Sequence, residues 1–248
     1  MSPWVIRLII ANALVFILQQ LRPGLTGMFA FIPAFALMQP WTVITYMFLH
    51  GDFMHILFNM LGLLFFGPRV EMRLGGKHFL GLYVTSGLAG ALLSFINPGT
   101  AIIGASAGVF GVFLAFAYFW PREPIYIWGV LPVQARWMVV GMTVLSLAGG
   151  LGFAADGVAH FAHLGGYLGG FVYLKLLERR TQAAATFTRI TAPVIHSGDI
   201  DRWRSIPRES LHEVNRAEYD RIMEKLAASG VGNLTETEKA FLERFSAR

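Results

Sequence analysis

Apolar residues in this chain come in long blocks, not at the spacings of a surface helix or a half-buried strand. The blocks run from about Trp4 to Leu21, Asp52 to Pro68, His78 to Ile96, Gly104 to Trp120, Ala135 to Leu151 and Gly157 to Leu177. Each comes near the roughly 20 residues that cross a hydrocarbon core of about 30 Å, so six membrane-spanning helices are expected. The fifth is the least sharply bounded, because Gly149, Gly150 and Gly152 loosen its end. The first block carries Arg7 and lacks a small-residue cleavage site ahead of a soluble domain, so it reads as a retained span and not a signal peptide. Met28 to Tyr46 is apolar but broken by Pro33, Gln39, Pro40 and Trp41. That pattern predicts an interfacial loop with short helical pieces, Trp41 and Tyr46 lying at headgroup level. Arg69 to Lys77 reads as a charged turn, and Asn97-Pro98-Gly99-Thr100 as a second turn.

Past Leu177 the pattern changes. Residues 181–207 are polar, with scattered Thr, Ser and Pro, and read as a linker between a domain at 1–180 and a tail at 208–248. In the tail Val214, Tyr219, Ile222 and Leu226 sit at helical spacings and Gly230 is a stop signal. Thr235 to Glu238 forms a capping box ahead of Phe241 and Phe245, which completes a small helical hairpin. No internal repeat is evident.

Composition agrees with the blocks: hydrophobic residues make up 55% and charged residues 14%. The fold class expected is an all-α membrane protein. Cysteine is absent, which excludes disulfides, thiolate catalysis and Cys-based metal sites. The net charge of +5 calls for no nucleic acid, because its distribution has another reading. With a cytoplasmic N-terminus, the inner loops hold Arg69, Arg73, Lys77, Arg122, Arg136, Lys175, Arg179 and Arg180, and the outer loops hold only Arg22. This asymmetry predicts both termini in the cytoplasm. It puts Asp52, Gly104 and Asp156 near the outer face, so the second, fourth and sixth blocks enter from one side.

Strongly polar groups at membrane depth are costly and usually face a bundle interior or a wet cavity. Here they are His50, His55, Asn59, Ser106, His160 and His163. His55 and Asn59 share a helix face, as do His160 and His163. A serine becomes a nucleophile when a base lies within hydrogen-bond reach, and neutral imidazole is the usual base. Gly165, Gly166, Gly169 and Gly170 strip bulk from the sixth block, as Gly104 and Gly108 do from the fourth, and so allow close helix approach. Each residue also has a plainer reading. Ser106 alone could bond a carbonyl one turn earlier, His163 could be a satisfied core histidine, and His55 and Asn59 could be interhelical partners. His160 is read as ordering its span and His50 as packing the loop. No His-Glu-x-x-His zinc motif occurs, and Asp52 and Asp156, the candidates for an aspartyl dyad, fall at block ends.

Taken in order, His55-Ile56-Leu57-Phe58-Asn59, Glu71-Met72-Arg73-Leu74-Gly75, Gly104-Ala105-Ser106 and Ala162-His163-Leu164-Gly165-Gly166 resemble the rhomboid family of intramembrane serine proteases. The resemblance covers about Trp4 to Leu177; the tail lies outside it, although similar short tails occur on some bacterial members. It implies a six-helix bundle with Ser106 as nucleophile and His163 as general base, a dyad with no third acid and no cofactor or metal. His55 and Asn59 would stabilise the oxyanion with the Ser106 N–H, Phe110 would pack on the imidazole, and Gly104 would support the serine. Substrates would be single-span or multi-span membrane proteins, cut in or beside their spans near the outer leaflet of a bilayer, in this case a bacterial inner membrane. The rival reading is a catalytically silent relative that binds membrane clients, although such a relative would be expected to lack Ser106 or His163. A transporter would show repeat symmetry and broken helices. Trp41 matches the family's Trp-Arg pair, but Thr42 stands where Arg is expected. Ala107 stands where Gly usually follows the serine, and its methyl is expected to crowd the substrate carbonyl or shift the helix.

Overall fold

The computed structural model describes residues 3–127, 129–153, 159–191 and 197–246. It separates into two compact units, Met1–Ala183 and Ala184–Arg248. In the first, α1 (Pro3–Leu21), α4 (Phe53–Leu74), α5 (Gly76–Leu93), α6 (Ser106–Phe119), α7 (Ala135–Ala148) and α8 (His160–Thr191) are joined by the short α2 (Leu25–Phe29) and α3 (Thr42–Thr45). Among the described residues, four segments are long and apolar enough to cross a membrane: Pro3–Leu21, Phe53–Leu74, Gly76–Ile96 and Ala135–Phe153. Helix α6 is apolar but has 14 residues. The start of the sixth block, including Asp156 and Gly157, lies outside the described residues. The architecture is that of an all-α membrane bundle. Large apolar side chains such as Leu14, Ile17, Trp137 and Leu145 cover its outside, where a soluble protein would place charge.

Helix α6 is the buried centre. Ala107, Gly108, Val109, Gly111, Val112, Phe113, Ala115 and Phe116 are all buried, consistent with a helix that is apolar all round. Gly104, with φ +119°, turns the chain into it, and the helix ends at Trp120 before Pro121.

The charged stretch at Arg69 is a correction to the expected turn. Helix α4 runs through Pro68 and ends only at Leu74, where Gly75 takes φ +79°. The charges are used inside the fold. Glu71 is buried, and its carboxylate accepts the N–H groups of Trp4 and Val5, both at 3.1 Å. These are first-turn donors of α1 that have no intrahelical partner, and a negative group suits that helix end. Arg69 pairs with Glu123 at 2.7 Å and lies 4.5 Å from the Trp120 ring centre.

The segment from Met28 to Tyr46 does hold short helical pieces. Trp41 is half exposed and donates its indole N–H to the Met28 carbonyl at 3.1 Å. Tyr46 does not sit at a surface. It is buried, and its hydroxyl donates to the Gly87 carbonyl at 2.7 Å. Thr42 is buried as well and donates to Gln39 O at 2.5 Å, while Thr45 donates to Phe29 O at 2.9 Å. The loop is therefore anchored by hydroxyls and indole, with no arginine at position 42.

One element was not foreseen. After α6 the chain forms an antiparallel hairpin, β1 (Pro124–Ile127) with β2 (Leu131–Gln134), in the register Ile125↔Val133 and Tyr126↔Pro132.

The second unit also departs from expectation. Helix α8 continues to Thr191, and α9 (Ser197–Arg204) occupies part of the expected linker. Trp203 and Ile206 are buried in a core with Leu211, Tyr219, Ile222 and Leu242. Among the described residues the tail core is thus built by three helices, α9 with α10 (Glu213–Ser229) and α11 (Glu236–Phe245), where a hairpin of two was expected. The capping box at Thr235 and Glu238 is present. Glu238 is nearly buried and paired with Lys225 at 2.8 Å and Arg221 at 2.9 Å.

Candidate active site

Ser106 is the first residue of α6. The segment before it is held on two sides. Phe31 and Ile102 exchange backbone hydrogen bonds of 3.1 and 2.8 Å, and the Gly104 N–H donates to Tyr46 O at 2.9 Å. Gly104 sits in the left-handed region that glycine favours, and a Cβ there would lie 2.6 Å from His55 Nε2. The serine is consequently presented on a fixed helix start whose free N–H groups carry partial positive charge.

His163, near the start of α8, brings Nε2 to 2.9 Å from Ser106 Oγ. Phe110, one turn along α6, stacks on the His163 ring with centroids 4.2 Å apart and planes 19° apart. Tyr167, one turn further along α8, also packs on Phe110, with centroids 4.9 Å apart. A hydroxyl hydrogen-bonded to an imidazole can hand over its proton as it attacks an electrophile.

The approach of α8 depends on two rows of glycine. Gly166 and Gly170 face α6: a Cβ on Gly166 would press on Ala107 O and lie 2.9 Å from Ala107 Cα, and one on Gly170 would lie 3.0 Å from Gly111 Cα. Gly165 and Gly169 face α5, where a Cβ would meet Ala89 O or lie 2.8 Å from Thr85 O. The contact with α5 was not anticipated. It also places Ala107. That residue is wholly buried, and its methyl fills the space over Gly90 of α5, where a Cβ would lie 2.6 Å away. It does not line the cavity beside Ser106. The expected crowding of a substrate carbonyl by this methyl is not found.

His55 and Asn59 lie on the cavity-facing side of α4. Asp52 caps the helix by accepting the His55 N–H at 2.9 Å. His55 Nδ1 accepts the Gly51 N–H at 3.4 Å, which favours the tautomer with the proton on Nε2, the nitrogen that faces Gly104. Asn59 donates one amide proton to His55 O at 2.8 Å, and the second is available to a ligand. His50 is buried with its ring edge-on to His55, centroids 5.0 Å apart. Its own backbone is held by Gln19 of α1, whose amide accepts at 3.0 Å and donates at 3.2 Å. Burial, with His55 alongside, pushes the His50 imidazole down to about 4. His160 packs its ring onto Gly149 at the end of α7. Among the described residues, no group of three His, Asp or Glu side chains converges as metal ligands would.

Ser106, His163, His55, Asn59 and Phe110 line one cavity of about 880 Å³. Sequence reasoning missed several of its walls: Met138 and Met142 of α7, and Ile125 to Ile127 of β1. The methionines, four apart, were legible as one face of a helix. The hairpin carried no comparable signal.

Residues 37–180 match the family model described as the Rhomboid domain. The chain is 35% identical over 144 residues to Rhomboid-like protease 3 of Toxoplasma gondii, covering 57% of this chain and 53% of that protein. It is 34% identical over 153 residues to the mitochondrial Rhomboid protein 1 of Saccharomyces cerevisiae, covering 55% and 44%. It is 33% identical over 145 residues to RHOMBOID-like protein 5 of Arabidopsis thaliana, covering 57% and 45%. The chain spans about half the length of these curated relatives. With the domain match covering more than half of its residues and an all-α membrane bundle to carry it, this chain belongs to the rhomboid family.

Proposed function

We propose that the protein is an intramembrane serine endopeptidase that cuts membrane proteins in or next to their spans. The observation that carries this reading is the 2.9 Å approach of His163 Nε2 to Ser106 Oγ at the polar end of a largely apolar cavity. In the proposed reaction His163 takes the hydroxyl proton while Oγ attacks the scissile carbonyl. Charge on the carbonyl oxygen is met by the Ser106 N–H, the His55 Nε2–H and the free Asn59 amide proton, and each such donor contributes about 10²–10³ in rate. The imidazolium then protonates the leaving amine, and a water deprotonated by His163 hydrolyses the acyl-serine.

The asymmetry of the basic residues supports six spans with both termini in the cytoplasm, an orientation in which the dyad would lie near the outer leaflet. Scissile bonds then lie where a substrate helix frays, because a helical peptide bond is shielded by its own hydrogen bonds. A silent client-binding protein would have no need of a Ser–His contact.

The test uses protein purified in detergent with a model single-span substrate. Ser106→Ala and His163→Ala should each abolish cleavage, and wild type alone should be labelled at Ser106 by a fluorophosphonate. Equal cleavage by either variant refutes the dyad.

A further inference from the structure

The cavity that holds the dyad does not stop there. Its lining extends along α4 and α6 to Phe66 and Phe113 and takes in Met138 and Met142 of α7 and Ile125, Tyr126 and Ile127 of the hairpin that follows α6. Its polarity is one-sided: Asp52, His55, Asn59, Ser106 and His163 all lie at the serine end, and beyond them the lining is apolar apart from the Tyr126 hydroxyl. On the α4 side the lining runs from Asp52 to Phe66, which at 1.5 Å per residue sets a groove about 20 Å long, and on the α6 side from Ser106 to Phe113; α6 itself closes at Phe119. β1 begins just after, at Pro124. Tyr126 is 60% exposed, while Ile125 and Ile127 on either side of it are half-buried.

An apolar groove offers no partners to a peptide backbone, so a chain lying in it must satisfy its own N–H and C=O groups as a helix. About 13 helical residues fill a groove of about 20 Å. From these observations, and resting on the proteolytic reading above, we infer that the β1–β2 hairpin is the far wall of the substrate groove. It packs against the end of the substrate's apolar span remote from the scissile bond, and cleavage therefore depends on the length of that span. The occupant is that span because the groove is continuous with the reacting serine. A lipid acyl chain in the same space would confer no dependence on substrate length.

The experiment uses the full chain in detergent and a series of single-span substrates shortened stepwise from the end remote from the cleavage site. A short soluble peptide serves as the reference. For wild type, kcat/KM should fall about tenfold, mostly through KM, once the helical part drops below about 13 residues. Tyr126→Ser and Ile125→Ser should flatten that step, bringing long and shortened substrates to within about twofold of each other. Each variant is judged by the ratio of long to short substrate, so partial loss of folded enzyme cancels. The absence of a step in wild type overturns the inference without recourse to any variant. A step that persists unchanged in both variants also overturns it. Failure of the proteolytic reading looks different, since wild type would then cleave no member of the series and not the reference peptide.

Discussion

Gly166→Ala tests most directly whether close helix packing and chemistry are one device. The added methyl would press on Ala107 O and sit 2.9 Å from both Ala107 Cα and C, all backbone atoms of α6 that cannot rotate aside. Ordinary carbon contacts lie at about 3.5–4.0 Å, so α8 must retreat by roughly 0.6–1 Å. If His163 travels with its helix, the 2.9 Å contact to Ser106 Oγ opens to about 3.5–3.9 Å, outside hydrogen-bond range. A misplacement of this size can cost about 10²-fold in rate. Overpacking by itself costs about 1–3 kcal/mol of stability. The assay is cleavage of a single-span substrate in detergent, read beside the thermal midpoint and the rate of fluorophosphonate labelling. The expected result is folded protein with cleavage and labelling both down about a hundredfold. Cleavage within about threefold of wild type would refute the argument, because the dyad would then tolerate a helix spacing said to control it.

Ala107→Gly empties the space over Gly90 and should lower the thermal midpoint by the loss of one buried methyl, about 1 kcal/mol, with turnover within about threefold of wild type. A large gain in turnover would show that the methyl hinders substrate after all. His50, held down at about 4 against an ordinary 6.5, makes stability depend on pH. The unfolded chain takes up the proton first, so stability is whole above about pH 6.5 and falls as pH drops toward 4; thermal midpoints across that window should decline, and less so in His50→Gln. Glu238 is held near 2 by Lys225, with the Thr235 N–H and Arg221 assisting. Its contribution is present above the ordinary 4.5 and lost as pH falls toward 2, and Glu238→Ala should expose the tail to trypsin sooner than wild type at neutral pH.

What could be read from the chain and what could not follows from how local each signal is. Blocks of apolar residues announced the long helices, because hydropathy acts residue by residue. Paired glycines announced that the serine and histidine helices come close, because the absence of a side chain is itself a packing statement. Which face of α6 carries the Ala107 methyl was not legible, since that depends on how the preceding helix, α5, packs against it. Glu71 was hidden for the same reason: a carboxylate beside arginines looks solvated until the start of α1 arrives to use it. The hairpin escaped notice because its strands are four residues each and both contain proline. In the tail, Trp203 and Ile206 are isolated apolar residues in a polar stretch, and only the fold gives them company.

The two ties on α1 have a mechanical consequence. At one end Glu71 of α4 holds its first N–H groups, and at the other Gln19 is clasped to the backbone of His50 just before α4 begins. A rod pinned at both ends to the same neighbour cannot hinge against it, so α1 and α4 behave as one beam. On α7, by contrast, the buried residues are Ala135 and Ser146 alone. On the proteolytic reading, breathing of the wall that would admit a substrate is therefore expected on α7. The chain has no cysteine, so spin labels placed in pairs would show it: distances from α1 to α4 should stay fixed while those from α4 to α7 broaden.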